Sequence, residues 1–383
     1  MEKIQQYILE KTPTQNIVNL RGSALLIWKQ LYHKLYDGYL KKKTFKFHKR
    51  KITEPILNPL YHLIPPKIQT YLNTTILNQY IYEITIKNII FTIHFMVPNT
   101  FTDFTKNIQN YLIQIYLWLY IASQYAPITC SNIFNIFIYL TPFKKTFPLH
   151  KNKVLDAINA NTAFTTNCLE NTQIPTTIVI FREEEWFKVL IHECFHALRL
   201  DFSMINIENI KTELYKLFPL THDGNLFETY TEVWAVIIHS LIIVFQQTLH
   251  KNNMELIKTK WEKIITLEKE FSVYQSVKVL QYNNLTYTNI LTGHPNCAKY
   301  KENTNILCYY LIKSIVLWNV IDFMKWCYDT QKSIIFKKSI HQPMHFLHFI
   351  QTYYKNTDYL NNIQKYENNG KDLKSNTLRM TLF

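Results

Sequence analysis

His192 and His196 stand one helical repeat apart in Ile191-His192-Glu193-Cys194-Phe195-His196, with an acid directly after the first histidine. On a helix, residues i and i+4 share a face, so the two imidazoles can meet one metal ion. Glu193 falls in the neighbouring sector, where a carboxylate can take a proton from a metal-activated water. The H-E-x-x-H spacing therefore points to metal-assisted hydrolysis. The competing reading is a pair of core histidines beside a surface acid.

A catalytic zinc keeps three protein ligands and one open position. The third is expected from a later helix. Phe227-Glu228-Thr229-Tyr230-Thr231-Glu232-Val233-Trp234-Ala235 places two carboxylates one turn apart, at the start of an apolar stretch. Acids on a buried helix surface cost free energy unless they are paired or bound to a metal. Glu228 is assigned to the metal and Glu232 to orienting a ligand histidine. The reverse assignment stays open, and so does a plain pair of exposed first-turn acids.

These groups need elements to hold them. Thr176–Phe181 (TTIVIF) is β-branched and reads as a strand running into a helix from Arg182 to about Leu200. Glu183-Glu184-Glu185 suit that helix's N-terminus, and Trp186, Val189, Leu190 and Phe195 would bury one side of it. Upstream, Tyr82–Val97 reads as one long strand or a tight hairpin about Lys87-Asn88. Ile108, Leu112, Ile115 and Leu119 mark a helix over 102–126. Asn132–Leu140 is a strand, stopped by the prolines of 141–148. Asn161–Thr166 is a polar loop, and 205–355 is helical. This order gives an α+β fold followed by helices. The expected division is a basic helical N-terminal extension over 1–80, an α+β lobe with the H-E-x-x-H helix over 81–204, a helical lobe carrying the third ligand over 205–360, and a polar, frayed tail over 361–383.

H-E-x-x-H followed by E-x-x-x-E is similar to the gluzincin branch of zinc metallopeptidases, over residues 80–245. The resemblance implies a zincin-like catalytic core, a small twisted sheet with an edge strand plus the active-site helix. It also implies Zn²⁺ as cofactor, Glu193 as general base, and His192, His196 and Glu228 as ligands. A protein or peptide substrate would lie antiparallel to the edge strand through Thr176, Ile178 and Ile180. Such enzymes need an oxyanion donor, for which His222, His294, Tyr309 and Tyr310 are candidates. The metzincin extension is absent, because positions 199 and 202 are Arg and Phe. Glu302, Asn305 and Tyr309 are spaced by single helical turns and either line a cleft or form a capping segment. His341, His345 and His348 have helical spacing, but Pro343 interrupts them and no acid or cysteine supports a metal site there. The composition is similar to that of uncharacterised metallopeptidase-like proteins of large DNA viruses. Two rival readings are a catalytically inactive zincin-fold structural, virion or assembly protein and a basic nucleic-acid-binding factor.

Composition narrows the rest. Only 5 glycines occur in 383 residues, and neither G-x-G-x-x-G nor G-x-x-x-x-G-K is present, which excludes dinucleotide and P-loop phosphate cradles. Lys+Arg 42 against Asp+Glu 28 gives +14, but just five of these cations are arginine, the residue favoured for base readout. The densest basic run, Lys41, Lys42, Lys43, Lys46, Lys49, Arg50 and Lys51, interleaves Phe and is either a polyanion contact or a solvated linker. The six cysteines are scattered, without a C-x-x-C pair, and suit a reducing, intracellular compartment such as the cytoplasm of an infected host cell or a virion. The apolar windows Tyr111–Ala122 and Val233–Phe245 are short and interrupted, so no membrane span is expected.

Overall fold

The computed structural model describes every residue except 1, 13–16, 43–47, 51–57, 151–152, 170–173, 249–252, 337–338, 340 and 370–374. The protein is mixed α/β and divides into two compact units, each built from non-contiguous segments. One comprises 29–145 and 161–200; the other comprises 1–28, 146–160 and 201–383. These boundaries differ from the linear division expected at residues 80, 204 and 360. Residues 1–80 do not form an extension of their own: α1 (Glu2–Lys11) belongs to the second unit, and the division falls within α2 (Gly22–Lys41).

The first unit is a mixed six-stranded sheet with order β1-β2-β3-β4-β6-β5 and its helices. Its strands are β1 (His48–Arg50), β2 (Leu77–Ile86), β3 (Ile89–Pro98), β4 (Ile133–Tyr139), β5 (Ala163–Thr165) and β6 (Thr176–Ile180). Its helices beyond α2 are α3 (Pro66–Thr74), α4 (Phe104–Ala122) and α6 (Trp186–Ala197), with α5 (Ala157–Ala160) lying in the other unit. β2 and β3 form the hairpin, with Ile86 opposite Ile89 and Lys87 in the turn at φ 54°. A lysine there takes the left-handed conformation that glycine adopts more easily. β3, β4 and β6 run parallel, and α4 is the crossover between the first two. All five residues of β6 are buried, as its uninterrupted β-branched sequence requires of a strand covered on both faces.

β6 is not the sheet edge. Asn161–Thr166, read as loop, contains β5, which pairs antiparallel with β6 through Ala163–Ile180, Phe164–Val179 and Thr165–Ile178. Thr177 is covered as well, since its carbonyl accepts the Thr166 N–H at 3.0 Å and its N–H donates to Thr166 Oγ1 at 2.9 Å. The outward side of Thr176, Ile178 and Ile180 is therefore occupied, and β5 is the last strand on that side of the sheet. A three-residue strand is too short to show an alternating pattern, which is why the sequence reads as loop.

α6 is buried all round rather than on one side. Its Phe195 stacks on Trp118 of α4, with ring centroids 5.9 Å apart. Two of the three acids before it are engaged by Lys145: Glu185 pairs with the ammonium at 2.8 Å, and Glu184 accepts its backbone N–H at 2.6 Å. Buried Arg182 donates to the carbonyls of Asn161 and Lys144 at 3.0 and 2.9 Å. Specific buried partners, more than the helix dipole, thus fix where α6 begins. Cys130 and Cys168 form a disulfide, and the Cys168 N–H donates to Ala197 O at 3.0 Å, pinning the other end of the helix. The scattered spacing of the cysteines gave no sign of this pairing.

The second unit is helical: α7 (Glu208–Leu217), α8 (Leu226–Thr248), α9 (Met254–Tyr282), α10 (Tyr287–Thr292), α11 (Lys313–Trp318), α12 (Val320–Gln331), α13 (Gln342–Tyr353) and α14 (Thr357–Asn368), with a π-helical turn at Leu307–Ile312. At 23 residues, α8 is long and apolar enough to cross a membrane by length and composition, beyond the window seen in the sequence; 83% of its most apolar stretch is buried inside the protein.

The expected frayed tail is instead core over residues 376–383. Leu378, Met380 and Leu382 are buried in alternation. Lys278 donates to Thr377 O at 2.6 Å, Gln275 to Arg379 O at 2.6 Å and Tyr310 to Leu378 O at 2.6 Å. The buried Glu268 carboxylate accepts from the Thr381 hydroxyl and from Leu382 N–H at 3.0 Å. A polar composition hid a period-2 apolar pattern. The basic run of 41–51 lies mostly outside the described residues. Within them Lys41 is engaged, by Asp37 at 3.0 Å and the Tyr120 hydroxyl at 2.8 Å.

Candidate metal centre

His192, Glu193 and His196 project from α6, each under 10% exposed at 6, 7 and 9%. The Nε2 atoms of the two histidines are 3.1 Å apart. Two nitrogens bound to one zinc at about 2.0–2.1 Å in tetrahedral geometry would be about 3.3 Å apart, so the pair is spaced as a ligand pair. Glu228, in the first turn of α8, is the acid grouped with His192 and His196 as residues that could hold a metal ion. Among the described residues this is the one group of three or more such side chains that could hold a metal. Two imidazoles and a carboxylate form a borderline-soft, three-ligand set that suits zinc with a position to spare.

Glu228 is held at both ends. Its N–H donates to Asn225 O at 2.9 Å, and its Oε1 accepts from Asn305 Nδ2 at 3.2 Å. Glu232, one turn on, pairs with Lys313 Nζ at 3.1 Å, both side chains being at most 2% exposed. Of the two acids, Glu228 is the one grouped with the histidines, and Glu232 serves a buried ion pair. Lys313 was the missed partner. Its signal was a single lysine inside the apolar run Ile306–Trp318.

Two of the four proposed oxyanion donors have hydrogen-bond partners elsewhere, and a third is packed through its ring. The Tyr310 hydroxyl donates to Leu378 O. Tyr309 packs in an apolar cluster with Leu155, Val279 and Met380. Exposed His294 caps a short 3₁₀ turn, its Nδ1 accepting Asn296 N–H at 3.2 Å. His222 differs: both ring nitrogens are buried without a hydrogen bond of normal geometry. Burial pushes its pKa below the usual imidazole value, which keeps the ring neutral with one N–H to donate. His341, His345 and His348 are exposed on and beside α13.

Glu302 caps the π-helical turn at Leu307, as one of the two sequence readings expects. Its Oε2 accepts the Tyr300 hydroxyl at 2.6 Å and Leu307 N–H at 2.7 Å. Burial, only partly offset by these bonds, pushes its carboxyl up to about 7 from 4.5. The folded state then binds the proton more tightly than the unfolded chain does. Stability is fully present below the unfolded value and falls as pH rises towards 7. Glu302→Gln, always neutral, should match the wild type near pH 4.5 and exceed it by about 1–3 kcal/mol at pH 8. Urea unfolding across that range checks this, and parallel curves would refute it.

Compared with protein-family models, with curated proteins and with solved structures, the chain gives no significant match.

Proposed function

We propose that this protein is a zinc-dependent peptidase of the gluzincin type, built on a zincin-like core. The observation that supports it is a pair of histidine Nε2 atoms 3.1 Å apart on one helix, beside the acid of H-E-x-x-H and grouped with Glu228 as residues that could hold a metal. Bound zinc would supply Lewis acidity and lower the pKa of water towards about 7. His192, His196 and Glu228 are the residues that would hold it. Glu193 accepts the proton of the attacking water and later delivers it to the leaving amine. His222 is the retained oxyanion donor, as an imidazole that burial keeps neutral.

The substrate strand is reassigned to β5. Thr162 O and Thr166 N–H bond to β6, so the backbone groups of Ala163 and Thr165 between them turn to the opposite side. An extended peptide adds there by main-chain hydrogen bonds.

Metal analysis is the direct test. Purified protein should carry about one zinc per chain, and His196→Ala should lose it. Stoichiometric zinc in a His192→Ala, His196→Ala double variant would move the site off α6 and end this reading.

A further inference from the structure

We infer that Asn305 is a positioning residue for Glu228, acting together with Asn225; this rests on Glu228 being the third ligand. The sequence places Asn305 one helical turn from both Glu302 and Tyr309. In the structure its amide is wedged between two partners on the first turn of α8. Its Oδ1 accepts Asn225 Nδ2 at 2.9 Å, and its Nδ2 donates to Glu228 Oε1 at 3.2 Å. The first bond fixes the second. An amide with its oxygen on a donor must turn its NH₂ the other way, so the face shown to Glu228 is the donating one.

Asn305 is itself immobilised. Its carbonyl accepts Tyr309 N–H at 2.8 Å at the start of the π-helical turn. One residue along α8, Thr229 Oγ1 donates to Cys308 O at 2.9 Å, so the same two stretches are tied twice. Asn225 completes the loop by accepting Glu228 N–H at 2.9 Å through its own carbonyl. The Glu228 backbone and carboxylate are therefore referred to a single residue, one directly and one through Asn305. A carboxylate on a flexible two-carbon stem would otherwise sample several rotamers. A donor fixed on one oxygen restricts that sampling.

Competition of Zn²⁺ against a chelator series on the full chain at fixed pH provides the test, with melting temperature as the folding control. Asn305→Ala should weaken zinc about 10–100-fold. In a Glu228→Gln background the same change should cost no more than about twofold, because the residue it acts through is gone. Asn305→Ser, which keeps a polar side chain too short to reach Glu228, should repeat the loss if the alanine variant fails to fold. Equal losses in both backgrounds would overturn the inference and leave Glu228 a ligand. So would unchanged affinity in Asn305→Ala when Glu228→Gln abolishes binding. Unchanged affinity in Glu228→Gln would remove the ligand assignment and this inference with it.

Discussion

Glu193→Gln is expected to abolish peptide hydrolysis while zinc content and melting temperature hold. The substitution keeps size and helix propensity, so the buried α6 keeps its packing. It removes the only group on that helix placed to take a proton beside the two histidines. Loss of a positioned general base costs about 10²–10⁴-fold in rate. His192, His196 and Glu228 are untouched, so any zinc that they hold should be retained. Turnover of a broad peptide library by both proteins, with zinc measured on the same samples, decides the matter. Equal rates would rule out Glu193 as the base. No hydrolysis by either, with zinc bound, would favour a scaffold in which the metal only staples the fold.

Lys313→Met should be the most destabilising single change in the helical unit, by about 3–5 kcal/mol. Lys313 pairs with buried Glu232 at 3.1 Å and also donates to Met380 O. Its charge further restrains the pKa of Glu268, which burial has already raised. Methionine fills the volume but leaves Glu232 buried opposite an apolar chain. Glu268 loses a favourable charge, so its folded pKa moves further up. The folded variant then holds that proton over a wider range, and its deficit grows as pH rises above the usual carboxylate values. Urea unfolding at pH 5 and pH 8 should show the larger gap at pH 8. Adding Glu232→Gln should recover part of the loss. An undiminished wild-type midpoint would mean that the pair contributes nothing.

What the sequence made legible was local. The spacing of His192 and His196, the β-branched run of β6, the turn at Lys87-Asn88 and the apolar repeat of α4 each carry their own period, and each appears where expected. The pairings that those periods do not encode were not legible. Glu232 and Lys313 are 81 residues apart, and Cys130 and Cys168 are 38 apart. Nothing in either neighbourhood names the other. β5 failed for a different reason: three residues give no alternation to count, yet they displace β6 from the edge. The units were hidden because they exchange segments along the chain. At the candidate site, His192, His196 and Glu228 could be singled out because two share one helix and the third opens an apolar one. Their supports, Asn225, Asn305 and Lys145, come from loops and distant turns.

The burial of residues 376–383 sets an order in time. Gln5 Nε2 donates to Leu382 O across 377 residues of sequence, and Glu268 meets Leu382 N–H across 114. Closing loops of such length is entropically unfavourable and slow, and nothing rewards it until the last partner arrives. During synthesis α8, α9 and α11 therefore emerge with Glu232, Glu268 and Lys313 lacking part of their final surroundings, whereas every strand of the sheet has been made by residue 180. The half of the protein that carries Glu228 is thus the last to mature. A nascent chain would hold its H-E-x-x-H helix well before Glu228 reached its final surroundings.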